Sequence, residues 1–301
     1  MASEAFRAFQ NGPLFVPKHD FKGDKDGAIA QYRKDLMMNT LPGGVLPEGV
    51  SAEDVTTGGV PCVSIQVPNA KEGWLLLQIH GGAFCAGPPC IHQWPFIKTA
   101  MDCGINILSV DYRLAPEHPY PAALEDCVAV YRAILEQGQD PKKVIFAGES
   151  AGATLCLVTA LYAKDHGLPV PAAIVAASPC CDAGISADQR RVYAPKDPLL
   201  DETDELMAFY IGDADPKDPY LSPAYADFSG MPPILLQCGT SEMLGPDSIA
   251  VLKNCIDADV DICVHAHAEM GHVFFLQAGL YPEADEGLEE IICYIRHVMG
   301  E

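Results

Sequence analysis

The sequence predicts an α/β fold: a largely parallel sheet covered on both faces by helices. Three observations predict it. From about residue 74 onward, short apolar runs rich in β-branched residues alternate with longer segments of helical spacing. At 301 residues the chain is long enough to bury a sizeable core, as one large domain or two small ones. In mid-chain an apolar strand, 144–147, passes through Gly148-Glu149-Ser150-Ala151-Gly152 into small and aliphatic helix formers, so a strand meets a helix across Ser150.

The elements follow in order. Residues 1 to about 45 carry Phe6, Phe9, Phe15, Phe21, Tyr32, Met37 and Met38 without strong alternation. Two short helices are expected there, over 3–10 and 26–38, either as an extension packed on a domain or as part of a lid. Residues 55–57 and 63–67 read as strands joined by Gly58, Gly59 and Pro61, an antiparallel start to a sheet. Residues 74–79 form a nearly all-apolar third strand ending in His80-Gly81-Gly82-Ala83-Phe84. Strands at 107–110, 144–147, 173–177, 234–237 and 262–265 then alternate with helices near 93–103, 121–137, 151–165 and 247–257, and a last helix covers 285–299. Between Asp182 and Pro232 no strong strand appears, and the helix at 204–211 marks an insertion with its own structure.

Composition bounds the function. Hydrophobic residues at 49% and charged residues at 20% describe a globular chain. With 19 basic and 41 acidic residues, the net charge of -22 disfavours nucleic acid and anionic membrane surfaces as partners. No run of 18 apolar residues and no basic-then-apolar leader is visible, so a cytoplasmic protein without stable membrane association is expected. None of the 12 cysteines forms a CxxC pair, and most fall inside expected strands or helices. They read as reduced, buried small hydrophobes.

The turn at Ser150 carries the chemistry. Residues two before and two after a nucleophile on so sharp a turn must be small, here Gly148 and Gly152, and the following helix presents free N–H groups to a forming oxyanion. A serine hydroxyl needs a base, and a histidine base needs a carboxylate to fix its tautomer. After the strand at 234–237 comes Glu242; after the strand at 262–265 comes His272, in the loop before Val273-Phe274. Asp247 competes with Glu242 for the acid, but is expected to begin the next helix as its cap. An oxyanion hole is expected from the N–H groups of Gly81, Gly82 and Ala151. His265, His267, Glu269 and His272 are set aside as metal ligands because no Cys or His set with tetrahedral spacing completes them; no metal and no cofactor are expected.

Three motifs, His80-Gly81-Gly82-Ala83-Phe84, Asp111-Tyr112-Arg113-Leu114-Ala115-Pro116-Glu117-His118-Pro119 and Gly148-Glu149-Ser150-Ala151-Gly152, together resemble the hormone-sensitive-lipase family of bacterial-type carboxylesterases. The resemblance continues through Ser178-Pro179, Asp197-Pro198-Leu199, Asp218-Pro219-Tyr220-Leu221-Ser222-Pro223, Met231-Pro232-Pro233 and Gly271-His272-Val273-Phe274, and so spans nearly the whole chain. It implies an α/β-hydrolase fold with eight strands and a helical cap: 1–45 and 183–225 as cap, 46–182 and 226–301 as core. It also implies hydrolysis of small-molecule carboxylic esters with short to medium acyl chains through an acyl-enzyme on Ser150, the order serine, acid, histidine, and a homodimer through the last strand.

Departures from the family pattern sharpen the expectations. Ala83 stands where a third glycine is usual, and Glu242 where aspartate is usual. Glu149 precedes the nucleophile in place of the commoner aspartate; with His80 it is expected to support the site, as a buried partner of the 111–119 loop. Cys180, followed by Cys181, replaces a tryptophan after Ser-Pro, which with Cys85 places thiols near the site. Lactone or amide hydrolysis on the same scaffold is the main rival, since the pocket sets the substrate. A non-catalytic receptor is disfavoured by the presence of Ser150, Glu242 and His272 together.

Overall fold

The computed structural model describes residues 2–10, 19–37, 45–87, 93–195, 197 and 200–301. Phe15, Met38, Pro198 and Leu199, singled out above, lie outside the described residues. Eight strands form one sheet: β1 (Ser51–Thr57), β2 (Val60–Gln66), β3 (Leu75–Ile79), β4 (Asn106–Val110), β5 (Val144–Glu149), β6 (Ala173–Ala177), β7 (Ile234–Gly239) and β8 (Ile262–His267). Their order is β1-β2-β4-β3-β5-β6-β7-β8. Every expected strand is present, and the first two extend further, pairing as an antiparallel hairpin from Ser51↔Gln66 to Thr57↔Val60. β2 runs antiparallel to β4, and all later pairings are parallel.

Nine α-helices are described: α1 (Glu4–Gln10), α2 (Lys25–Met37), α3 (Gln93–Cys103), α4 (Ala122–Glu136), α5 (Ala151–Asp165), α6 (Ala187–Arg190), α7 (Leu200–Ile211), α8 (Gly245–Asp257) and α9 (Pro282–Val298). Alternation along the strands sorts their side chains into two cores. Leu77, Phe146, Ile174 and Leu236 join one face with α4 and α5. Their neighbours Leu76, Ile145, Val175 and Leu235 join the other with α3 and α9. Continuous apolar strands of this kind are what a sheet buried on both faces requires.

The long insertion between β6 and β7 holds α6 and α7. α7 lies over the loops at the C-terminal ends of β3 and β6: Tyr210 stacks on Phe84 at 3.7 Å between ring centroids, and Cys180 Sγ meets Met207 Sδ at 3.9 Å. The N-terminal segment joins it. Phe21 packs edge-on against Phe209, and the His19 ring bridges Asp35 at 2.9 Å and Glu202 at 3.3 Å. Arg33 of α2 reaches the core, donating to the carbonyls of Cys85 and Ala115 and to both oxygens of Glu117. α1 departs from this grouping. Phe6 and Phe9 pack on Tyr281 and Ser3 bonds Glu283, so α1 sits on α9 of the core.

α6 was absent from the expected elements. It is four residues long, too short for a periodic pattern, but it carries a capping box between Ser186 and Gln189 that the sequence Ser-x-x-Gln displays.

Candidate active site

β5 delivers Ser150 at its C-terminal end. The serine has φ 54° and ψ -124°, a strained conformation for a side chain with a Cβ, and its N–H donates to the Ala177 carbonyl at 2.8 Å. The two flanking glycines are explained by contact. A Cβ on Gly148 would stand 2.5 Å from the Gly152 carbonyl carbon, and one on Gly152 would strike the Ile79 carbonyl at the end of β3. The start of α5 is thus pressed against the strand that precedes the His80-Gly81-Gly82 loop.

The loops after β7 and β8 bring the partners. The N–H of Thr240 donates to the His267 carbonyl and that of Ser241 to the Met270 carbonyl, each at 2.9 Å, so the two loops are laced together. His272 Nε2 lies 2.9 Å from Ser150 Oγ, and His272 Nδ1 lies 3.0 Å from Glu242 Oε2. Val273, with φ 47°, anchors the histidine loop by donating its N–H to Ser178 Oγ at 3.2 Å. Glu242 is sealed from solvent, and burial pushes its carboxyl up against the pull of the adjacent imidazole. The arrangement lets Ser150 donate to His272 while His272 donates to Glu242.

Asp247 is not the helix cap that was expected. It sits inside the first turn of α8, where Leu244 holds the N-cap position. Its carboxylate accepts the N–H groups of Cys181 and Asp182 and pairs with Arg190, so it ties the insertion to the core and does not face His272's partner position.

The loop after β3 is rigid. The N–H groups of Cys85 and Ala86 both donate to the Gly82 carbonyl at 3.0 Å, and Ala83 and Phe84 take φ of 54° and 61°. His80 is buried, its Nδ1 donating to the Gly81 carbonyl at 2.7 Å, its ring stacked on Tyr112 at 4.3 Å, and its own carbonyl accepting from Tyr112 Oη at 2.8 Å. Burial pushes the His80 imidazole down to about 4, so it stays neutral.

Glu149 and Gly81 require a correction. The Gly81 N–H donates to Glu149 Oε1 at 2.5 Å, so it is spent on the residue before the nucleophile and does not serve as an oxyanion donor. Among the described residues the N–H groups of Gly82, Ala83 and Ala151 have no partner. Glu149 was expected to support the 111–119 loop; its bond to Gly81 ties it to the loop after β3. Burial raises its carboxyl well above the usual range while the Gly81 N–H lowers it.

The thiols are buried where the sequence suggested. Cys85 Sγ meets the Leu206 carbonyl at 3.6 Å, and burial pushes both Cys85 and Cys180 up to about 12. All described cysteines are free. Thr154, missed by the sequence reading, exchanges hydrogen bonds with the Cys180 backbone at 2.8 and 2.9 Å and fixes the segment after β6 to α5.

A serine on a strained strand-to-helix turn, with a histidine and a carboxylate brought beside it by later loops of a parallel sheet, is the arrangement expected of an α/β hydrolase, and residues 76–276 match the family model described as alpha/beta hydrolase fold. The chain belongs to that family, in its hormone-sensitive-lipase branch, and is a carboxylic ester hydrolase. It is 34% identical over 255 residues to an acetyl-hydrolase of Streptomyces hygroscopicus, covering 84% of this chain and 85% of that one. A crystal structure of EstE5 soaked with p-nitrophenyl butyrate matches with a TM-score of 0.89 at 28% identity, over 100% of both chains. A crystal structure of an esterase from the bacterial hormone-sensitive lipase family matches with a TM-score of 0.82 at 30% identity, over 98% of this chain and 96% of that one.

Proposed function

We propose that the protein is a serine carboxylesterase that hydrolyses short- to medium-chain esters through an acyl-enzyme on Ser150. The observation that carries the reading is the continuous line from Ser150 Oγ through the His272 ring to Glu242, with both contacts at hydrogen-bond distance. His272 takes the Ser150 proton as Oγ attacks the ester carbonyl. The N–H groups of Gly82, Ala83 and Ala151 receive the oxyanion, and protonated His272 passes its proton to the leaving alcohol. Water, activated by the same histidine, then cleaves the acyl-enzyme. Glu242 holds the tautomer throughout, and no cofactor enters any step.

Substrate choice falls to the cap, read here as α2 with residues 183–225, lying over the core of residues 46–182 and 226–301. The stacked Phe84–Tyr210 pair and the Cys180–Met207 contact bring α7 close above the nucleophile turn, which favours a compact acyl pocket. EstE5, soaked with a four-carbon acyl ester, supports the same size class. β8 pairs only with β7 among the described residues, and its other edge is available for a second copy in a homodimer. Among the described residues no helix is long and apolar enough to cross a membrane. A cytoplasmic setting without nucleic-acid partners suits the net charge of -22.

Hydrolysis of p-nitrophenyl esters from acetate to palmitate tests the reading, with Ser150→Ala as the comparison. Activity is expected to peak at short or medium chains and to fall to background in the variant. Substantial turnover by the folded variant would sink the serine mechanism.

A further inference from the structure

β8 and α9 face each other at the edge of the sheet, away from the triad's own contacts. Cys263, His265 and His267 alternate along one face of β8. Opposite them α9 presents Glu286, Glu290, Tyr294 and His297 at helical spacing. Apart from His267, the two rows line a cleft open to solvent. At its floor the Glu290 carboxylate lies between two imidazoles: Oε1 is 2.9 Å from His265 Nδ1, and Oε2 is 2.8 Å from His267 Nε2.

The geometry points to a site for a divalent transition ion of the zinc class, ligated by His265 Nδ1, His267 Nε2 and Glu290. The three ligand atoms all lie within 4.8 Å of one another. Metal–ligand distances of about 2.0–2.1 Å in a tetrahedral set put ligand atoms ~3.4 Å apart, so the carboxylate and the rings need part by only about half an ångström. Two imidazoles and a carboxylate suit zinc better than calcium or magnesium, which take oxygen ligands. Two of the ligands sit two residues apart on a strand and the third on a long packed helix, a rigid support.

The surroundings supply what such a site needs beyond its ligands. The far nitrogen of His265, Nε2, lies 3.3 Å from Cys263 Sγ, a partner that fixes the ring's orientation while Nδ1 faces Glu290. Gln237 of β7 donates to Glu290 Oε2 at 3.0 Å and to the Gly287 carbonyl at 2.8 Å, orienting the carboxylate from behind. Asp261, Glu286 and Glu289 add negative charge around the cleft. Tyr294, on the same cleft, has a buried hydroxyl with no partner among the described residues. His265 is 33% exposed, which leaves an entry path.

The sequence reading weighed His265 and His267 as ligands beside Glu269 and His272, and found nothing to complete them. The proposed site adds Glu290, 23 residues beyond His267, and includes neither Glu269 nor His272.

The test is a titration of the chelator-stripped full chain with zinc against a chromophoric chelator, with folding of each variant checked by circular dichroism. One equivalent is expected to bind, with affinity reduced about tenfold or more in His267→Asn and in Glu290→Gln and unchanged in His272→Asn. X-ray absorption of the zinc-loaded unmodified protein, which needs no variant, is expected to show two imidazole nitrogens on the ion. No bound equivalent overturns the site. So does equal binding by the unmodified protein and both β8–α9 variants, loss of binding in His272→Asn, or an absorption spectrum without imidazole.

Discussion

Arg190 of α6 pairs with Asp247 of α8 with both side chains out of water, at 1% and 0% exposure. The guanidinium also donates to the Asp182 carbonyl at 2.8 Å, and the carboxylate accepts the N–H groups of Cys181 and Asp182 at 2.7 and 2.8 Å. Removing one charge strands the other in the interior, which costs far more than losing the pair together. Asp247→Asn is expected to lower stability by about 3–5 kcal/mol, and adding Arg190→Met, which removes the stranded charge while the amide oxygen still accepts the two N–H groups, to recover part of that. Urea unfolding of the single and double variants checks it; equal losses in both would refute the pairing argument.

In the proposed mechanism Glu149 acts on the reaction through Gly81, whose N–H it accepts. Glu149→Ala leaves the Gly81 N–H without its acceptor and loosens the loop that presents Gly82 and Ala83. A fall in kcat of about 10²-fold with little change in KM is expected, since a misplaced oxyanion donor costs about that much. Glu149→Gln retains an acceptor and should stay much closer to the unmodified enzyme. Steady-state kinetics of the two variants separate this positioning role from a loss of folding, which would lower the active fraction of both.

In the proposed mechanism Glu242 fixes which His272 nitrogen carries the proton. In Glu242→Gln an amide replaces the carboxylate, the preferred tautomer is lost, and kcat is expected to fall about 10³- to 10⁴-fold with KM nearly unchanged. An equally large rise in KM would assign Glu242 to substrate binding.

His80 contributes a pH dependence of stability. Its imidazole is held at about 4 in the fold against 6.5 when unfolded. Below 6.5 the unfolded chain gains a proton that the folded chain refuses. This contribution is therefore complete above pH 6.5 and is lost as pH falls from 6.5 toward 4, about 3 kcal/mol in all. His80→Gln should lose less stability than the unmodified protein between pH 7 and pH 4.5 in urea unfolding. Parallel losses would show that His80 does not carry the effect.

What the sequence disclosed follows from the range of the interactions. The strands and the nucleophile turn are written locally, in apolar runs such as Val144-Ile145-Phe146-Ala147 and in Gly148 and Gly152, and both were legible. Strand-end placement made Ser150, Glu242 and His272 readable as one set before their distances were known. The errors arose where distant segments meet. The Gly81 N–H turns to a carboxylate 68 residues away, and Asp247 meets Arg190 across 57 residues. Glu290 reaches the β8 histidines from a helix whose amphipathic pattern announced only packing. α1 lies on α9 because Phe6 and Phe9 find Tyr281, a choice no local pattern encodes.

Two ties that fasten outlying helices to the rest of the fold share one chemical trait. Arg33 holds α2 to Glu117 and to the Cys85 and Ala115 carbonyls, and Arg190 holds α6 to Asp247. A guanidinium keeps its charge at every pH the protein survives, and Arg33 drags Glu117 down to about 2. Neutral and alkaline solutions therefore leave these clamps alone. The segments carrying α2 and α6 therefore stay fastened to the sheet across the whole of that range.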